Sequence, residues 1–372
     1  MRIMQLDILR AIAVLMVMGS HIPEFLFQKT TILTEGLSLW VHCGWTGVDL
    51  FFVISGFLVS GLLFREYIEY GKVDVLRFFI RRGLKIYPAF YFFLLLTSFY
   101  LLSIGYPLPE RIQYYGEILY VQNYWTHIWE HTWSLAVEEH FYLFIGLFIL
   151  LRTKFSRGKN PFRILIALTI GLSITCLYLR LLNASVPYGH LTHLFPTHLR
   201  VDSLLFGVLL SYLHHFKQDQ FKNWVQKRAC LIGIVSTFLI MTTWRWSLFH
   251  PFMNSFGLTF LYVGFGGILI LLLYHFNFEE IKTNWLIKGL AQIGFYSYSI
   301  YLWHIIFARF FSYHTFIKTD NFLIFSLLCI VTYFSLSIIF GIFMSKAIEI
   351  PALKFRDKFF SSHSGTLKIS KN

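Results

Sequence analysis

Long apolar runs, each close to the length needed to cross a lipid bilayer, dominate this sequence of 372 residues. A transmembrane helix needs about 20 consecutive, mostly apolar residues. Hydrophobic residues make up 56% of the chain and charged residues only 14%, which is typical of membrane proteins rather than soluble ones. We predict an all-α fold, a polytopic membrane protein with about ten transmembrane helices. The predicted spans are 6–22, 46–64, 86–105, 132–151, 163–182, 198–215, 229–247, 256–274, 289–311 and 322–344.

The loops between these runs are too short to hold a soluble domain. We therefore predict one transmembrane domain over residues 1–350 and a short cytosolic tail over 351–372, disordered at its end. The first run has no small-residue cleavage site and contains Arg10. We interpret it as a retained first span rather than a cleaved signal peptide.

The distribution of positive charge predicts the orientation in the membrane. The formal net charge is +13, which is often typical of proteins that bind nucleic acids. If the N-terminus is inside, however, 24 of the 32 lysines and arginines fall on the inner side and only Lys29, Arg111 and Lys318 fall outside. This bias follows the positive-inside rule and predicts an N-in, C-in topology. We therefore expect no nucleic-acid partner.

Cysteine and histidine spacing predicts neither disulfides nor a metal site. The four cysteines are scattered, and three of them lie in or next to apolar runs, where a cysteine behaves as a small hydrophobic residue. A loop carries three histidines, but their spacing is irregular and Pro196 interrupts it. These histidines are His190, His193 and His198.

The first span carries ionisable residues on one face. Arg10 and His21 are eleven residues apart, so at 100° per residue they are separated by only about 20° after three turns. Asp7 lies on the same face. A charge at the centre of a bilayer costs roughly 3 kcal/mol or more. Either Arg10 and His21 extend to opposite membrane surfaces, or they face a cavity or a partner.

Ionisable and polar residues recur in four other spans. The fourth span contains two adjacent carboxylates, Glu138 and Glu139. Placing them in a membrane has a high free-energy cost unless they are paired or protonated. The predicted topology places several such residues in the outer half of the membrane, namely His21, Asp49, Glu138, Arg200 and His304. Candidate pocket or acceptor-binding residues are Asp49, Trp133, Ser134, Arg200, Tyr301 and His304.

A basic segment precedes the third predicted span on the inner side. Arg81, Arg82 and Lys85 either attract anionic lipid headgroups or bind a phosphorylated cytosolic ligand, because arginine forks match phosphate oxygens.

Five segments resemble the integral-membrane acyltransferase family 3, and the match spans nearly the whole chain. They are LDILRAIAVLMVMGSH, GWTGVDLFFVISGFLVSGLL, FFIRRGLKIYPAFY, TWSLAVEEHFYL and YSYSIYLWH. A weaker trace, AIEIPALKF, resembles the end of the family domain. The resemblance implies ten core helices, a cytosolic acyl-CoA donor and an acylated carbohydrate or other hydroxyl compound.

The resemblance also implies roles for particular residues. It places the key arginine and histidine at Arg10 and His21 and the acidic motif at Glu138 and Glu139. The family's cytosolic Arg-x-x-Arg element falls on residues 82–85, where this chain has lysine as the last residue. Lysine keeps the charge but loses the bidentate fork.

These observations lead to a functional hypothesis. We expect a membrane-bound O-acyltransferase that moves an acyl group, most simply acetyl, from acetyl-CoA to a glycan hydroxyl, in O-antigen, lipopolysaccharide or exopolysaccharide. Catalytic roles fall to His21, Glu138, Glu139 and Arg10, and donor binding to Arg82, Lys85 and Arg81. His21 acts either as a general base or as a covalent acyl carrier. The alternatives are a proton-coupled transporter, a small-molecule acceptor and a catalytically silent sensor. We expect the bacterial cytoplasmic membrane as the location, membrane lipid as a partner and no permanently bound cofactor.

Overall fold

The structure is a computed structural model, and it describes residues 3–23, 26, 32–103, 105, 107–155, 160–276, 283–313 and 322–361. Within these ranges the regular secondary structure is helical, and no strand occurs. The α-helices are α1 (Met4–Ser20), α2 (Ile32–Cys43), α3 (Gly47–Tyr70), α4 (Val75–Ser103), α5 (Arg111–Ile118), α6 (Trp133–Phe155), α7 (Ile164–Asn183), α8 (Val201–Phe216), α9 (Gln218–Lys227), α10 (Ala229–Trp244), α11 (Leu258–Tyr274), α12 (Trp285–Phe295), α13 (Ser297–Tyr313), α14 (Phe322–Met344) and α15 (Ile350–Phe359).

Six helical segments in the described part of the chain are long and apolar enough to cross a membrane. They are Glu35–Tyr70, Val75–Ser103, Glu130–Phe155, Ile164–Asn183, Met253–Tyr274 and Leu323–Phe359. A seventh results if α9 and α10, which are bent by 77° relative to each other, form one broken span. The chain is therefore an all-helical, multi-pass membrane protein with six or seven such spans. The number of ten spans and the N-in, C-in orientation stay predictions.

Three of the predicted spans coincide with helices that are shorter than a typical span. Helices α1 and α13 have 17 residues each and α8 has 16. At 1.5 Å per residue they are about 24–26 Å long, somewhat less than the hydrocarbon thickness of about 30 Å. Their position along the chain agrees with the sequence prediction, while their length alone does not qualify them as spans.

Two predicted boundaries are wrong. The span predicted over 289–311 is divided, because α12 ends at Phe295 and α13 begins at Ser297. The backbone of Tyr296 has φ −93° and ψ 6°, outside helical geometry. Helix α4 begins at Val75, well before the predicted start at 86, and contains Pro88 in its interior. The span was predicted from its apolar run, and the basic residues before residue 86 are not part of that run.

The contacts between Cα atoms divide the chain into two compact units. The first unit comprises Met1–Ile54 and Arg228–Lys346, and the second comprises Ser55–Lys227 and Ala347–Asn372. Helix α3 belongs to the first unit up to Ile54 and to the second from Ser55. The tail predicted over 351–372 is helical up to Phe359, and its predicted disordered end lies outside the described residues.

In the first unit α1 packs closely on α12, and α13 packs on α14. A Cβ atom at Gly294 would overlap the backbone carbonyl oxygen of Asp7, so this approach of α12 to α1 requires glycine. Side chains of α1 that include Leu9, Val14 and Met18 are buried. This packing holds the polar residues of α1 at fixed positions inside the unit.

In the second unit α4 packs on α6, α7 packs on α8, and α15 packs on α4. A Cβ at Gly56 would overlap the carbonyl oxygen of Leu204, so the second part of α3 approaches α8 closely. Ser60 donates a hydrogen bond to the Gly56 carbonyl oxygen at 2.6 Å, so its side chain lies against its own helix. The small residues on this face of α3 therefore allow the two helices to pack closely.

Candidate active site

His21 lies at the C-terminal end of α1, where its backbone caps the helix. Its Nδ1 atom is 2.9 Å from the carbonyl oxygen of Val17, one turn earlier. A carbonyl oxygen can only accept a hydrogen bond, so this contact assigns the imidazole proton to Nδ1. The Nε2 atom then carries the lone pair. A nitrogen of this kind can accept a proton or attack a carbonyl carbon.

A second histidine meets His21 within the first unit. The ring centroid of His304, on α13, is 5.0 Å from that of His21, and the two rings meet edge to face. His304 is fully buried, and its Nδ1 is 2.6 Å from the carbonyl oxygen of Tyr301. The ring of Tyr301 lies 5.7 Å from His304 and 5.9 Å from Phe51 of α3. The structure therefore brings together residues from three of the predicted spans.

Two further predicted residues belong to the first unit. Asp49 is completely buried in the first turn of α3, where the partial positive charge of a helix N-terminus favours a carboxylate. Arg10 is half-buried on α1, and it forms no hydrogen bond or ion pair within the residues that the structure describes. Helix α1 ends at Ser20, so the shared face of Arg10 and His21 stays a prediction.

Glu138 occupies a hydrogen-bonded cluster in the second unit. The hydroxyl of Tyr142, one turn later on α6, donates to Glu138 Oε2 at 2.6 Å. The Ser55 hydroxyl of α3 is 2.8 Å from the same tyrosine oxygen. The Arg82 guanidinium lies 5.1 Å from the centroid of the Tyr142 ring, and the charges of Arg82 and Lys85 both act on Glu138. Two cations and two hydroxyls thus compensate for the burial of this carboxylate.

The neighbouring carboxylate has different surroundings. The Tyr87 hydroxyl of α4 donates to Glu139 Oε2 at 2.9 Å. Glu139 Oε1 is buried and has no hydrogen-bond partner among the described residues. Successive residues on a helix point about 100° apart, so the two glutamates face different neighbours. The charge of Arg82 acts on both carboxylates, whereas Lys85 acts on Glu138 and Tyr87 hydrogen-bonds to Glu139. The Tyr87 ring also contacts the rings of Tyr91 and Tyr120, and these three residues form the tyrosine group.

The three basic residues of α4 do not act as one group. Arg81 pairs with Asp357 at 3.1 Å and donates a hydrogen bond to the carbonyl oxygen of Phe360. Asp357 also pairs with Arg356 at 2.8 Å. Arg81 therefore fastens α15 to α4, whereas Arg82 and Lys85 interact with Glu138.

Trp133 and Arg200 are adjacent in the second unit. The ring of Trp133, the first residue of α6, stacks on Phe195 with 4.9 Å between centroids. The guanidinium of Arg200 is fully buried and lies 5.5 Å from the centroid of the Trp133 ring. Ser134 donates to the His131 carbonyl at 3.3 Å, which is a local contact at the start of the helix.

A buried ion pair escaped the sequence analysis. Arg180 of α7 pairs with Asp202 of α8 at 2.6 Å, and the two side chains are only 1% and 0% exposed. Each of the two is an ionisable residue in an apolar segment, where such residues need partners. The sequence therefore indicated that both are paired, though not with which residue. Residues two apart on a helix point about 200° apart, so Asp202 lies on the side of α8 opposite Arg200, and that side faces α7.

A buried carboxylate outside the spans was also missed. Glu117 of α5 is completely buried and accepts hydrogen bonds from the backbone N–H groups of Ile128 and Trp129 and from the Thr132 hydroxyl. Burial is the main cause that raises the pKa of Glu117, to about 7. These bonds fix the segment that leads into α6. Only the tertiary structure reveals this role.

The three loop histidines have separate partners. His190 pairs with Glu130 at 2.7 Å, His193 Nε2 lies 3.0 Å from the Asn183 carbonyl, and His198 contacts Tyr124. Among the described residues no group of three histidine, cysteine, aspartate or glutamate side chains is placed to hold a metal ion.

Comparison with known proteins identifies relatives over most of the chain. The family described as acyltransferase domain (acyltransferase family 3) matches residues 3–342. A Staphylococcus aureus strain COL protein, SACOL0978, provisionally named an O-acetyltransferase, is 31% identical over 326 residues. That match covers 80% of this chain and 49% of the relative. O-acetyltransferase OatA of S. aureus strain NCTC 8325 is 30% identical over 289 residues, which cover 71% of this chain and 46% of OatA.

The chain spans about half the length of the curated relatives it matches. No solved structure matches it. The family match covers the histidine pair of the first unit and the carboxylate cluster of the second, and it extends over nearly the whole chain. The chain therefore belongs to the acyltransferase family 3.

Proposed function

We propose that this protein transfers an acyl group, most simply acetyl, from cytosolic acyl-CoA to a hydroxyl group of a cell-surface or lipid-linked glycan. The observation that carries the proposal is the orientation of His21. Its Nδ1–H donates to the Val17 carbonyl, so the lone pair sits on Nε2. Family membership and relatives named as O-acetyltransferases support the choice of acetyl transfer to oxygen.

In the first mechanism His21 is a general base. Its Nε2 accepts the proton of the acceptor hydroxyl while the hydroxyl oxygen attacks the thioester carbonyl carbon. The new C–O bond replaces the C–S bond, and the departing thiolate of coenzyme A takes the proton back from the imidazolium. An imidazole with an ordinary pKa near 6.5 suits this role. The Val17 carbonyl holds the ring during the transfer.

In the second mechanism Nε2 itself attacks the thioester carbon. An acyl-imidazolium forms as the C–S bond breaks, and coenzyme A leaves as a thiolate. In a separate step the acceptor hydroxyl oxygen attacks the acyl carbon and the C–N bond to His21 breaks. The hydroxyl proton passes to Nε2 and from there to the thiolate. The neighbouring His304 also has its Nδ1 directed at a backbone carbonyl, so its Nε2 likewise carries a lone pair. It is placed to support the imidazole of His21 in either mechanism.

Arg82 and Lys85 suit the phosphate groups of the donor, since both carry permanent positive charge at neutral pH. Arg10 suits the thioester end or another anionic group, because it is half-buried and unpaired within the described residues. Glu138 acts as a positioning residue that holds Arg82 and Lys85 in place. We assign Glu139 to the acceptor side, because its neighbour Tyr87 belongs to the tyrosine group.

We place the protein in the bacterial cytoplasmic membrane, with membrane lipid, acyl-CoA and the glycan acceptor as partners. The predicted N-in orientation leaves the donor's phosphates in the cytosol. It also places four residues predicted in the outer half of the membrane toward an acceptor outside, namely His21, Asp49, Arg200 and His304.

The test replaces His21 with alanine in cells that express the protein. We expect loss of alkali-labile acetate from the surface glycan, measured by NMR, at an unchanged protein level in the membrane. His42→Ala is the matched control, because His42 is an exposed histidine of the same unit. Unchanged acetylation in His21→Ala would refute the catalytic role. A mass increase of one acetyl group on His21 in acetyl-CoA alone distinguishes the covalent mechanism from the general-base mechanism.

One observation favours a carrier as a second candidate function. The break at Tyr296 between α12 and α13 resembles the discontinuous helices of transporters. Purified protein in liposomes separates the two functions, since an enzyme consumes acetyl-CoA and releases free coenzyme A. A soluble hydroxyl compound that is acetylated in place of glycan would instead indicate a small-molecule acceptor.

A further inference from the structure

An aromatic surface lies in the second unit, outside the six helical segments that are long and apolar enough to cross a membrane. We call it the aromatic shelf and define it by Tyr124, Trp125 and His198. Tyr124 and Trp125 lie in the segment between α5 and α6, and His198 lies just before α8. Tyr124 is 46% exposed and Trp125 is 58% exposed. The predicted topology places both segments on the outer side of the membrane.

Tyr124 and His198 of the shelf are held in place by hydrogen bonds and ring contact, although their rings are exposed. The fully buried Asn123 donates through its amide to the Phe195 carbonyl at 3.2 Å and to the Thr197 hydroxyl at 2.9 Å. The Tyr124 oxygen accepts the backbone N–H of His198 at 3.2 Å and lies 3.1 Å from His198 Nδ1. The rings of Tyr124 and His198 are nearly parallel, with an angle of 16° and 5.7 Å between centroids.

A pyranose ring has the complementary chemistry. One face of such a ring presents C–H groups, and its rim carries hydroxyl groups. Rigid aromatic side chains offer apolar area at a low cost in conformational entropy, and a tyrosine hydroxyl or a histidine ring supplies hydrogen bonds at the edge. We infer that the aromatic shelf binds a pyranose ring of the glycan acceptor. This inference rests on the proposed function.

The shelf is connected to Glu139 through contacts in the same unit. The His140 ring, which follows Glu139 on α6, lies 6.1 Å from Tyr124, and its Nδ1 is 2.7 Å from the Thr197 hydroxyl. The His140 ring also bonds to the backbone of Tyr120. A sugar on the shelf therefore lies beside the helix that carries the acidic pair.

A ring contact completes this connection. The Tyr120 ring is 5.5 Å from the ring of Tyr87, and Tyr87 hydrogen-bonds to Glu139. The shelf and the carboxylate thus share a continuous set of aromatic neighbours. The arrangement assigns Glu139 to the acceptor and leaves Glu138 with the donor.

Exposed tyrosine and tryptophan residues also anchor membrane proteins at the lipid interface. The two functions predict different results. An anchor affects how much protein inserts into the membrane. A sugar-binding shelf instead affects the affinity of the inserted protein for the sugar.

The experiment measures saturation-transfer NMR on the purified protein in detergent, without acetyl-CoA. The probes are β-linked glucose, β-linked N-acetylglucosamine and α-linked mannose tetrasaccharides, with sorbitol as a polyol that has no ring face. We expect saturation transfer to the ring C–H protons of at least one tetrasaccharide and none to sorbitol. Trp125→Ala and Tyr124→Ala should weaken the binding at least tenfold, whereas Tyr124→Phe keeps the ring and most of the affinity.

Tyr115→Ala is the matched control, because Tyr115 on α5 is as exposed as Trp125, at 58%, and lies outside the shelf. The inference is overturned if no tetrasaccharide gives a signal, or if the alanine variants bind as the parent does. It is also overturned if they only reduce the amount of inserted protein. Because the assay needs no catalysis, sugar binding with unchanged acetylation in His21→Ala would refute the catalytic proposal and leave the shelf intact.

Discussion

Tyr142→Phe tests whether Glu138 positions the donor-binding cations. The substitution removes one hydroxyl, which donates to Glu138 Oε2 at 2.6 Å. It keeps the aromatic ring, so the Arg82 guanidinium retains its contact 5.1 Å from the ring centroid. The change therefore isolates the hydrogen bond from the packing around it.

The expected magnitude follows from the kind of hydrogen bond that is lost. A hydrogen bond to a charged group contributes about 1.5–3 kcal/mol. At about 1.4 kcal/mol for each factor of ten, this corresponds to a roughly 10- to 140-fold change in a dissociation constant. Ser55 also hydrogen-bonds to Glu138 and remains in the variant. We therefore expect the lower end, an increase of about tenfold in the KM for acetyl-CoA.

The assay follows coenzyme A release by the purified enzyme in liposomes at varied acetyl-CoA and fixed acceptor. Tyr87→Phe is the matched control, because it removes the corresponding hydroxyl from Glu139, at 2.9 Å. We expect Tyr87→Phe to change the KM for acetyl-CoA by less than about twofold while it raises the KM for the acceptor. An unchanged donor KM in Tyr142→Phe, or equal donor effects in both variants, would refute this division between the two glutamates.

Three further predictions concern stability. Asp202→Ala or Arg180→Ala should each lower the free energy of unfolding by about 3–5 kcal/mol, and a double-mutant cycle should show strong coupling, because each single change leaves a buried charge unpaired. Gly56→Ala should cost about 1–3 kcal/mol through overlap with the facing helix backbone, whereas Gly171→Ala, with open space around it, should be nearly neutral by thermal unfolding in detergent. Burial raises the pKa of Glu117 from 4.5 to about 7, so the folded state binds a proton more tightly than the unfolded state and stability should fall as pH rises from about 4.5 to about 7. Glu117→Gln should flatten that slope in Tm against pH, and an unchanged slope would contradict the assignment.

Much of the fold could be predicted from the sequence, because helix formation and membrane insertion depend on local properties of the chain. Runs of apolar residues predicted helices at ten places, and each place contains a helix in the structure. The boundaries of the helices were harder to predict. Ser297 and its neighbours lie in an apolar run, so no local sequence feature indicated the break at Tyr296. Helix α4 begins at Val75, and the basic residues of its first turns are absent from the apolar run that predicted the span.

The candidate site was predictable as a set of residues but not as an arrangement. Motif resemblance singled out His21, Glu138 and Glu139, since their positions along the chain match the family. The sequence could not show that His304 meets His21 or that Tyr87 of another helix bonds to Glu139 rather than Glu138. Residues next to each other in sequence point about 100° apart, so a small rotation of one helix decides which of them meets a neighbour.

By itself, the sequence determined that this chain is a helical membrane protein of the acyltransferase family 3, because hydropathy and motifs depend on residues that are close together in the sequence. Only the tertiary structure decided the pairings, such as Arg180 with Asp202 and Tyr87 with Glu139. These pairings join residues on different helices or select one of two adjacent carboxylates. They depend on how closely the helices approach, and a residue such as Gly56 sets that approach through backbone contact. Periodicity specifies the face of a helix, whereas packing specifies what that face meets.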